Sequence, residues 1–283
     1  MARIAIVTDS TCDMGPEALA ALGVEMVPLK LHFGDTTYLD WIDFTPTEFY
    51  PKMAAASALP TTSQPSPAEF SAVYARLAEE GFDGIVSVHL SAKLSGTCES
   101  ALLAAVDAPI PVRVVDSTFV SWAVALVVQA AVDARDAGGD LDAVEAAATK
   151  AVEGTELYFV VDTLDNLVKG GRAGKAQGLA ASLLNIKPVL HFVNGAIEPF
   201  KKARGSKAAF AELASHVAAR SKELGGVKAI VIHAVAPDLA EQIRKAVVDA
   251  GLVGEVVTIG EIGSVIGTHA GPRTVGVSYL PLV

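Results

Sequence analysis

The chain has 283 residues, 51% of them hydrophobic, with a mean hydropathy of +0.42 and a net charge of −10. That length allows one large domain or two ordinary ones. The acidity argues against nucleic acid, which asks for a basic face, and the longest near-continuous apolar run, Val120 to Val132, falls short of the ~20 residues that a bilayer crossing needs. Met1-Ala2-Arg3 leads directly into a short strand and Asp9, without the long apolar stretch and cleavage site of a signal peptide, so a cytoplasmic location is expected. Cys12 and Cys98 stand in no paired motif, which leaves neither a disulfide framework nor a zinc signature.

In chain order, Ile4-Ala5-Ile6-Val7 is a strand that runs into Thr8-Asp9-Ser10-Thr11, and Pro16 to Ala21 is a short helix stopped at Gly23. Ser66-Pro67-Ala68-Glu69 combines a capping box with proline at the first helical position, predicting a helix to Gly81. A strand over Gly84 to Leu90 follows, then a helix from about Gly96 to Val106, a strand over Val112 to Asp116 and a long apolar helix from about Val120 to Ala137. Gly138-Gly139 ends that helix, and Asp140 caps another reaching Val152. This alternation predicts a parallel sheet with helices on both faces.

Beyond Gly154 the rhythm changes. A strand over Leu157 to Val161 precedes a helix over Thr163 to Lys169, stopped at Gly170-Gly171, and a short helix over Gln177 to Leu184. Val189 to Phe192, Asn194-Gly195 and Ala196 to Phe200 read as a hairpin with a two-residue turn. A helix over Lys207 to Leu224, a strand over Ala229 to Ala234, a helix over Asp238 to Ala250 and strands over Val256 to Ile259 and Val275 to Leu280 complete the chain. The expected fold is α/β in two domains, a parallel-sheet domain over 1–154 and a mixed-sheet domain over 155–283.

Three strands of the first half end in hydroxyls: Thr8 to Thr11, Ser91 to Thr97, and Asp116-Ser117-Thr118. Ligands of open parallel sheets bind outside the carboxyl ends of the strands, so this pattern suggests a polar or anionic head group gripped by neutral hydrogen bonds. Ser95-Gly96-Thr97 lies at a strand-to-helix turn, where glycine allows close approach and helix N–H groups favour an anion; a simple helix cap is the equal alternative. Thr61, Thr62 and Ser63 are further donors, since the cap of the next helix needs only Ser66. Ser117 and Ser121 join the candidate ligand residues. Arg172, after the Gly-Gly stop, is either a surface residue or the one strong cation for a carboxylate or phosphate. His269, in the glycine-rich run from Ile262 to Pro272, is expected to face a cleft, although a lone histidine is more often structural. The other histidines show no metal-ligand spacing.

Taken together, Val7 to Thr11, Thr62-Ser63-Gln64-Pro65, Leu94-Ser95-Gly96-Thr97, Asp116-Ser117, Leu164 to Arg172, Ile186-Lys187-Pro188, Ala203-Arg204 and Gly267 to Pro272 resemble the DegV family, the fatty-acid-binding B subunits of bacterial fatty acid kinase. Each motif is weak alone; the ordered set is specific. The resemblance implies two domains with a ligand tunnel between them, holding one long-chain fatty acid such as palmitate or oleate. Thr62 and Ser95 match the carboxylate ligands, Arg172 and His269 match residues near the head group, and Arg204 matches an arginine that docks the kinase catalytic subunit. That kinase phosphorylates the bound acid to an acyl phosphate, so no catalytic residue, cofactor or metal is expected here. The sequence departs from the family at Arg273, where a glycine is usual, and at Ala173-Gly174, where Ile-Ser is frequent. The apolar helix from Val120 to Val132 is either a tunnel wall or ordinary core. A competing reading is a serine hydrolase using Ser95, His269 and Asp9 or Asp116, although no nucleophile elbow is present. A third is a lipid-sensing regulator.

Overall fold

The computed structural model describes residues 2–182 and 186–282, with side chains described except at 180–182. Strands β1 (Ile4–Asp9), β2 (Val24–Val27), β6 (Gly84–His89) and β7 (Val112–Asp116) form a parallel sheet in the order β2-β1-β6-β7. β1 and β6 are buried at every position, as strands covered on both faces must be. Helices α3 (Pro67–Glu79) and α4 (Thr97–Val106) cover one face, and α5 (Trp122–Asp136) and α6 (Leu141–Gly154) the other. The capping box at Ser66 forms: its Oγ accepts the Glu69 N–H and Glu69 accepts the Ser66 N–H at 2.8 Å. Asp140 caps α6 as its sequence indicates.

The C-terminal domain is a six-stranded mixed sheet in the order β10-β9-β8-β13-β11-β12. It comprises β8 (Glu156–Val160), the hairpin of β9 (Ile186–Val193) and β10 (Ala196–Arg204) turned at Asn194-Gly195, β11 (Val227–His233), β12 (Gly254–Glu261) and β13 (Val275–Pro281). Only β11 and β12 are parallel. The final strand inserts at the sheet centre, antiparallel to both β8 and β11. Helices α8 (Gly205–Glu223) and α9 (Pro237–Asp249) cover the outer face. Strand alternation then decides the site: Tyr158 and Val160 point outward to those helices, whereas Leu157, Phe159, Ile230 and Ile232 point inward to a core shared with the N-terminal domain.

Several elements were not anticipated. A three-stranded sheet, β4-β3-β5, is built from β3 (Lys30–Phe33), β4 (Thr36–Leu39) and β5 (Thr61–Ser63). Its strands are too short to show periodicity. Helix α2 (Pro46–Ala55) was also missed, although Thr45 and Glu48 form a legible capping pair, with the Thr45 N–H donating to Glu48 at 2.9 Å. The glycine-rich run after Ile262 holds a helix, α10 (Ser264–Ala270), rather than an open loop. After α7 (Asp165–Lys169), the helix expected over Gln177 to Leu184 is a 3₁₀ helix over Gly174–Ser182, and residues 183 and 184 lie outside the described residues. Finally, α5 is mainly core: Val124, Val127, Val128, Ala131 and Val132 pack under the parallel sheet, and only the approach to it, Val120 and Ser121, reaches the cavity described next.

Candidate functional site

Between the two domains lies a cavity of about 780 Å³. Most of its wall is hydrocarbon. Leu29, Leu90, Leu94 and Val120 come from the N-terminal half, and Leu157, Phe159, Leu167, Phe192, Ile197, Ile232, Ile262, Val265 and Ile266 from the C-terminal half. Polar groups lining the same cavity are Thr62, Ser63, Gln64, Ser95, Arg172 and His269, with Ser121 and Thr274 also on the wall.

Thr62 sits on β5 opposite Leu31 of β3. Its Oγ1 is 2.8 Å from Nε2 of His269, contributed by the last turn of α10. The adjacent Ser63 hydroxyl contacts His32 Nε2 at 2.9 Å. Ser95 stands before α4, its hydroxyl 2.9 Å from that of Thr97. Arg172 bridges the domains: Nε donates to the Leu94 carbonyl at 3.1 Å and Nη1 to the Gly170 carbonyl at 2.6 Å. Burial, and secondarily the Arg172 charge, push His269 down to about 4, so its imidazole is neutral near pH 7. Its Nδ1 is buried without a partner.

The glycines around this histidine permit close packing. At Gly170 the backbone is ordinary right-handed helix, φ −77°, yet an added Cβ would overlap His269 Nδ1. At Gly267 it would overlap Tyr50 Oη, which donates to the Ile262 carbonyl at 2.9 Å. At Gly96 it would lie 2.6 Å from the Gln64 amide. Gly174 has φ +53° and presses on the Ile197 carbonyl, which accounts for glycine there.

The anticipated site residues therefore separate. Thr62, Ser95, Arg172, His269 and Ser121 line one cavity, but the Ser121 hydroxyl is engaged by Asp13 at 2.5 Å. Thr97 and Ser117 are fully buried, and neither they nor Gly96 lines the cavity. Thr97 holds Ser95, while Ser117 Oγ accepts the Phe119 N–H and shapes the turn after β7. The three hydroxyl-rich strand ends do share one edge of the sheet, but the hydroxyls of Ser10, Ser91 and Ser117 secure backbone and that of Thr11 donates to Asp9. Arg204 ends β10, exposed and away from the cavity lining. Arg273 holds φ +61° and lines a separate cavity of about 310 Å³ with Asp162 and Phe210, not the cavity of His269. Ser63, expected as a further donor, lines the cavity too, whereas Gln64 and the cradle glycine Gly170 were missed; the signal of Gly170, a glycine where no positive φ is needed, is legible only once the opposing side chain is known.

The hydrolase constellation does not assemble. His269 contacts Thr62, and Asp116 Oδ1 accepts the N–H groups of Ala92 and Thr118. Asp9 instead faces His89 Nδ1 at 3.0 Å, whose Nε2 is 2.7 Å from Ser87 Oγ, itself 2.9 Å from Tyr74 Oη. This triad-like relay has no exposed side chain and lines no part of the cavity; with the Leu90 N–H donating to Asp9 at 3.0 Å, it fixes the cavity wall. Among the described residues, no cluster of three or more His, Cys, Asp or Glu is placed to hold a metal, and no helix is long and apolar enough to cross a membrane.

The α/β fold encloses between its two domains a mostly apolar cavity with polar groups in its wall, a lining that matches the chemistry of an amphiphile. The model of the family described as "Uncharacterised protein, DegV family" matches residues 3–282, and the chain belongs to that family. A DegV domain-containing protein of Streptomyces coelicolor is 41% identical over 281 residues, 97% of each chain. The solved structure of a DegV family protein from Thermus thermophilus, described by its fatty acid binding, is 39% identical with a TM-score of 0.93, covering 99% of this chain and 100% of that one. DegV of Bacillus subtilis, a fatty acid binding protein, is 31% identical with a TM-score of 0.89 and full coverage of both chains.

Proposed function

We propose that this chain binds one long-chain fatty acid and presents its carboxylate to a fatty acid kinase subunit, with Arg204 on the docking face and the domains divided near Gly154. The observation that carries the binding is the cavity itself, apolar over most of its wall and polar at Thr62, Ser95, Arg172 and His269. Burying ~15 methylenes at ~0.8 kcal/mol each yields on the order of 12 kcal/mol before ordering costs, so the head group needs mainly to be placed. A carboxylate among hydroxyls alone would be costly to desolvate. Arg172 supplies the compensating charge. A neutral His269 protonated on Nε2 donates to Thr62 Oγ1 and frees the threonine hydroxyl proton for the carboxylate. Burial, with the Arg172 charge adding to it, keeps the imidazole neutral and so preserves this relay.

Native mass spectrometry of freshly purified protein, followed by denaturing extraction, tests the reading. One adduct of fatty-acid mass is expected. Protein that is empty and takes up neither palmitate nor oleate would overturn it. The docking proposal is checked separately, by acyl phosphate formation with a kinase subunit, which Arg204→Ala should impair while leaving fatty-acid affinity intact.

A further inference from the structure

The small three-stranded sheet presents an aromatic cup that fatty-acid binding does not use. Phe33 closes β3, Tyr38 lies on β4, and Phe44 stands in the connection to α2. Tyr38 pairs with Leu31 of β3, so strand alternation puts Tyr38, Leu31 and Phe33 on one face of the sheet; Thr62, the partner of Leu31 on β5, shares that face. The ring centroids stand 6.0 Å apart for Phe33 and Tyr38, 6.1 Å for Phe33 and Phe44, and 4.6 Å for Tyr38 and Phe44. Phe49 of α2, fully buried, packs against Phe33 at 6.0 Å and against Phe44 at 6.4 Å. Core packing on Phe49 therefore holds the cup in shape, while its three rings stay half-buried and open to solvent.

The mouth of the cup is filled by a cation of the chain itself. Lys52, exposed on α2, places Nζ 5.0 Å from the Tyr38 centroid, 5.4 Å from that of Phe33 and 5.8 Å from that of Phe44. Among the described residues this ammonium forms no ion pair, in a chain whose net charge is −10. The ring faces hold it instead of a carboxylate. Ring quadrupoles attract any cation within about 6 Å of a centroid, but a primary ammonium is compact and strongly hydrated, so water competes for it. A quaternary ammonium keeps the charge, has no N–H to hydrate and brings apolar methyl groups to the rings. Its nitrogen would stand on the order of 5 Å from a ring, the sum of an N–C bond of ~1.5 Å and a carbon contact of ~3.5–4.0 Å. The spacing observed at Lys52 Nζ, 5.0 to 5.8 Å, matches that shell.

We propose that the cup of Phe33, Tyr38 and Phe44 is a binding site for a quaternary ammonium group, free or carried on a lipid head group, and that Lys52 is its resident competitor. Lys52 reaches the cup on a flexible four-carbon stem, so it leaves without any change in the backbone. Displacement exchanges an intramolecular cation for an external one, and the apparent affinity is reduced by the fraction of time that Lys52 occupies the cup. The cup needs no fatty acid, and neither its rings nor Lys52 line the acyl cavity. A plain staple of α2 onto the sheet would use the same contacts, but would give no affinity for an added onium once Lys52 is removed.

The test is a proton NMR titration of tetramethylammonium and choline into the full-length protein and into Lys52→Ala, followed through the ring-current shift of the N-methyl resonance. The alcohol that carries tert-butyl in place of trimethylammonium serves as the uncharged isostere of choline. Lys52→Ala should bind both cations on the order of fivefold more tightly than the unsubstituted protein, because the competitor is gone. The isostere should bind about threefold more weakly than choline, for want of the attraction between cation and ring. Phe44→Leu added to Lys52→Ala keeps an apolar surface but removes one ring, and should weaken choline binding by roughly threefold or more; Tyr38→Leu replaces it should that variant fold poorly. Flotation with phosphatidylcholine against phosphatidylglycerol vesicles separates the sources: capture by the former alone assigns a lipid head group, and choline binding without capture assigns a free onium ligand. Absence of an N-methyl shift with either protein, at about tenfold above the millimolar range expected of so small a ligand, overturns the site. Equal binding of choline and its isostere does the same, and equal choline affinity of the two proteins refutes the competitor role of Lys52.

Discussion

Gly170→Ala isolates the histidine relay from the stability of the fold. The residue has φ −77° and ψ −8°, so alanine fits the backbone, and at a helical position it is favoured over glycine by up to ~1 kcal/mol. The new Cβ, however, would lie 3.0 Å from the Asn166 carbonyl and far inside contact distance of His269 Nδ1. The imidazole must swing away, and its 2.8 Å contact with Thr62 is lost. A net hydrogen bond is worth about 0.5–1.5 kcal/mol, so fatty-acid affinity should fall roughly 2- to 10-fold, while for the fold the propensity gain offsets much of the lost contact and the melting temperature shifts by only a few degrees. Equilibrium titration with parinaric acid beside a thermal melt reads both quantities. Gly171→Ala supplies the opposite pattern: its φ of +71° disfavours a side chain but its surroundings are empty, so stability should drop by about 1 kcal/mol with affinity unchanged. Unchanged affinity in Gly170→Ala would show that the His269–Thr62 contact does not govern how the ligand is held.

Thr62→Val keeps the shape but removes the hydroxyl, and should weaken binding by a similar 2- to 10-fold, measured by the same titration. Because burial holds His269 down to about 4 against an ordinary 6.5, the unfolded chain binds the proton more readily between those values. Stability should accordingly fall as pH drops from about 6.5 to about 4, and His269→Gln should lessen that fall in urea melts across the range; an identical profile would place the loss elsewhere, for instance at His191, His216 or His233, which burial also depresses. Stripping the lipid should lower the melting temperature, since ligand at 100 times Kd contributes about 2.7 kcal/mol, or roughly 5–10 °C in a chain of this size. Ile232→Trp, which fills the cavity from the inward face of β11, should exclude long acyl chains while tolerating shorter ones, as read by extracted-lipid mass spectrometry.

Much of the architecture is written locally. The apolar runs of β1 and β6, the proline-led capping box at Ser66, the Asp140 cap and the Asn194-Gly195 turn each specify an element through contacts within a few residues, and each forms where the sequence places it. The identities of Thr62, Ser95, Arg172 and His269 were likewise legible from ordered motifs. What the chain does not encode locally is which groups oppose one another. The position of β13 between β8 and β11 follows from packing of the inward faces, and it brings strands distant in sequence into one cavity wall. The glycines at 170, 263 and 267 resemble helix stops or loop residues in sequence; only the folded structure sets an imidazole, a carboxyl and a phenol against them. The same holds for the hydroxyls: their number is a property of the sequence, but burial and partner geometry decided that Ser95 and Thr62 face the cavity while Thr97 holds the Ser95 side chain and Ser117 serves the backbone. Local propensity acts over a turn or two of chain, whereas desolvation, steric exclusion and charge pairing act between segments that meet only when the two domains close on each other.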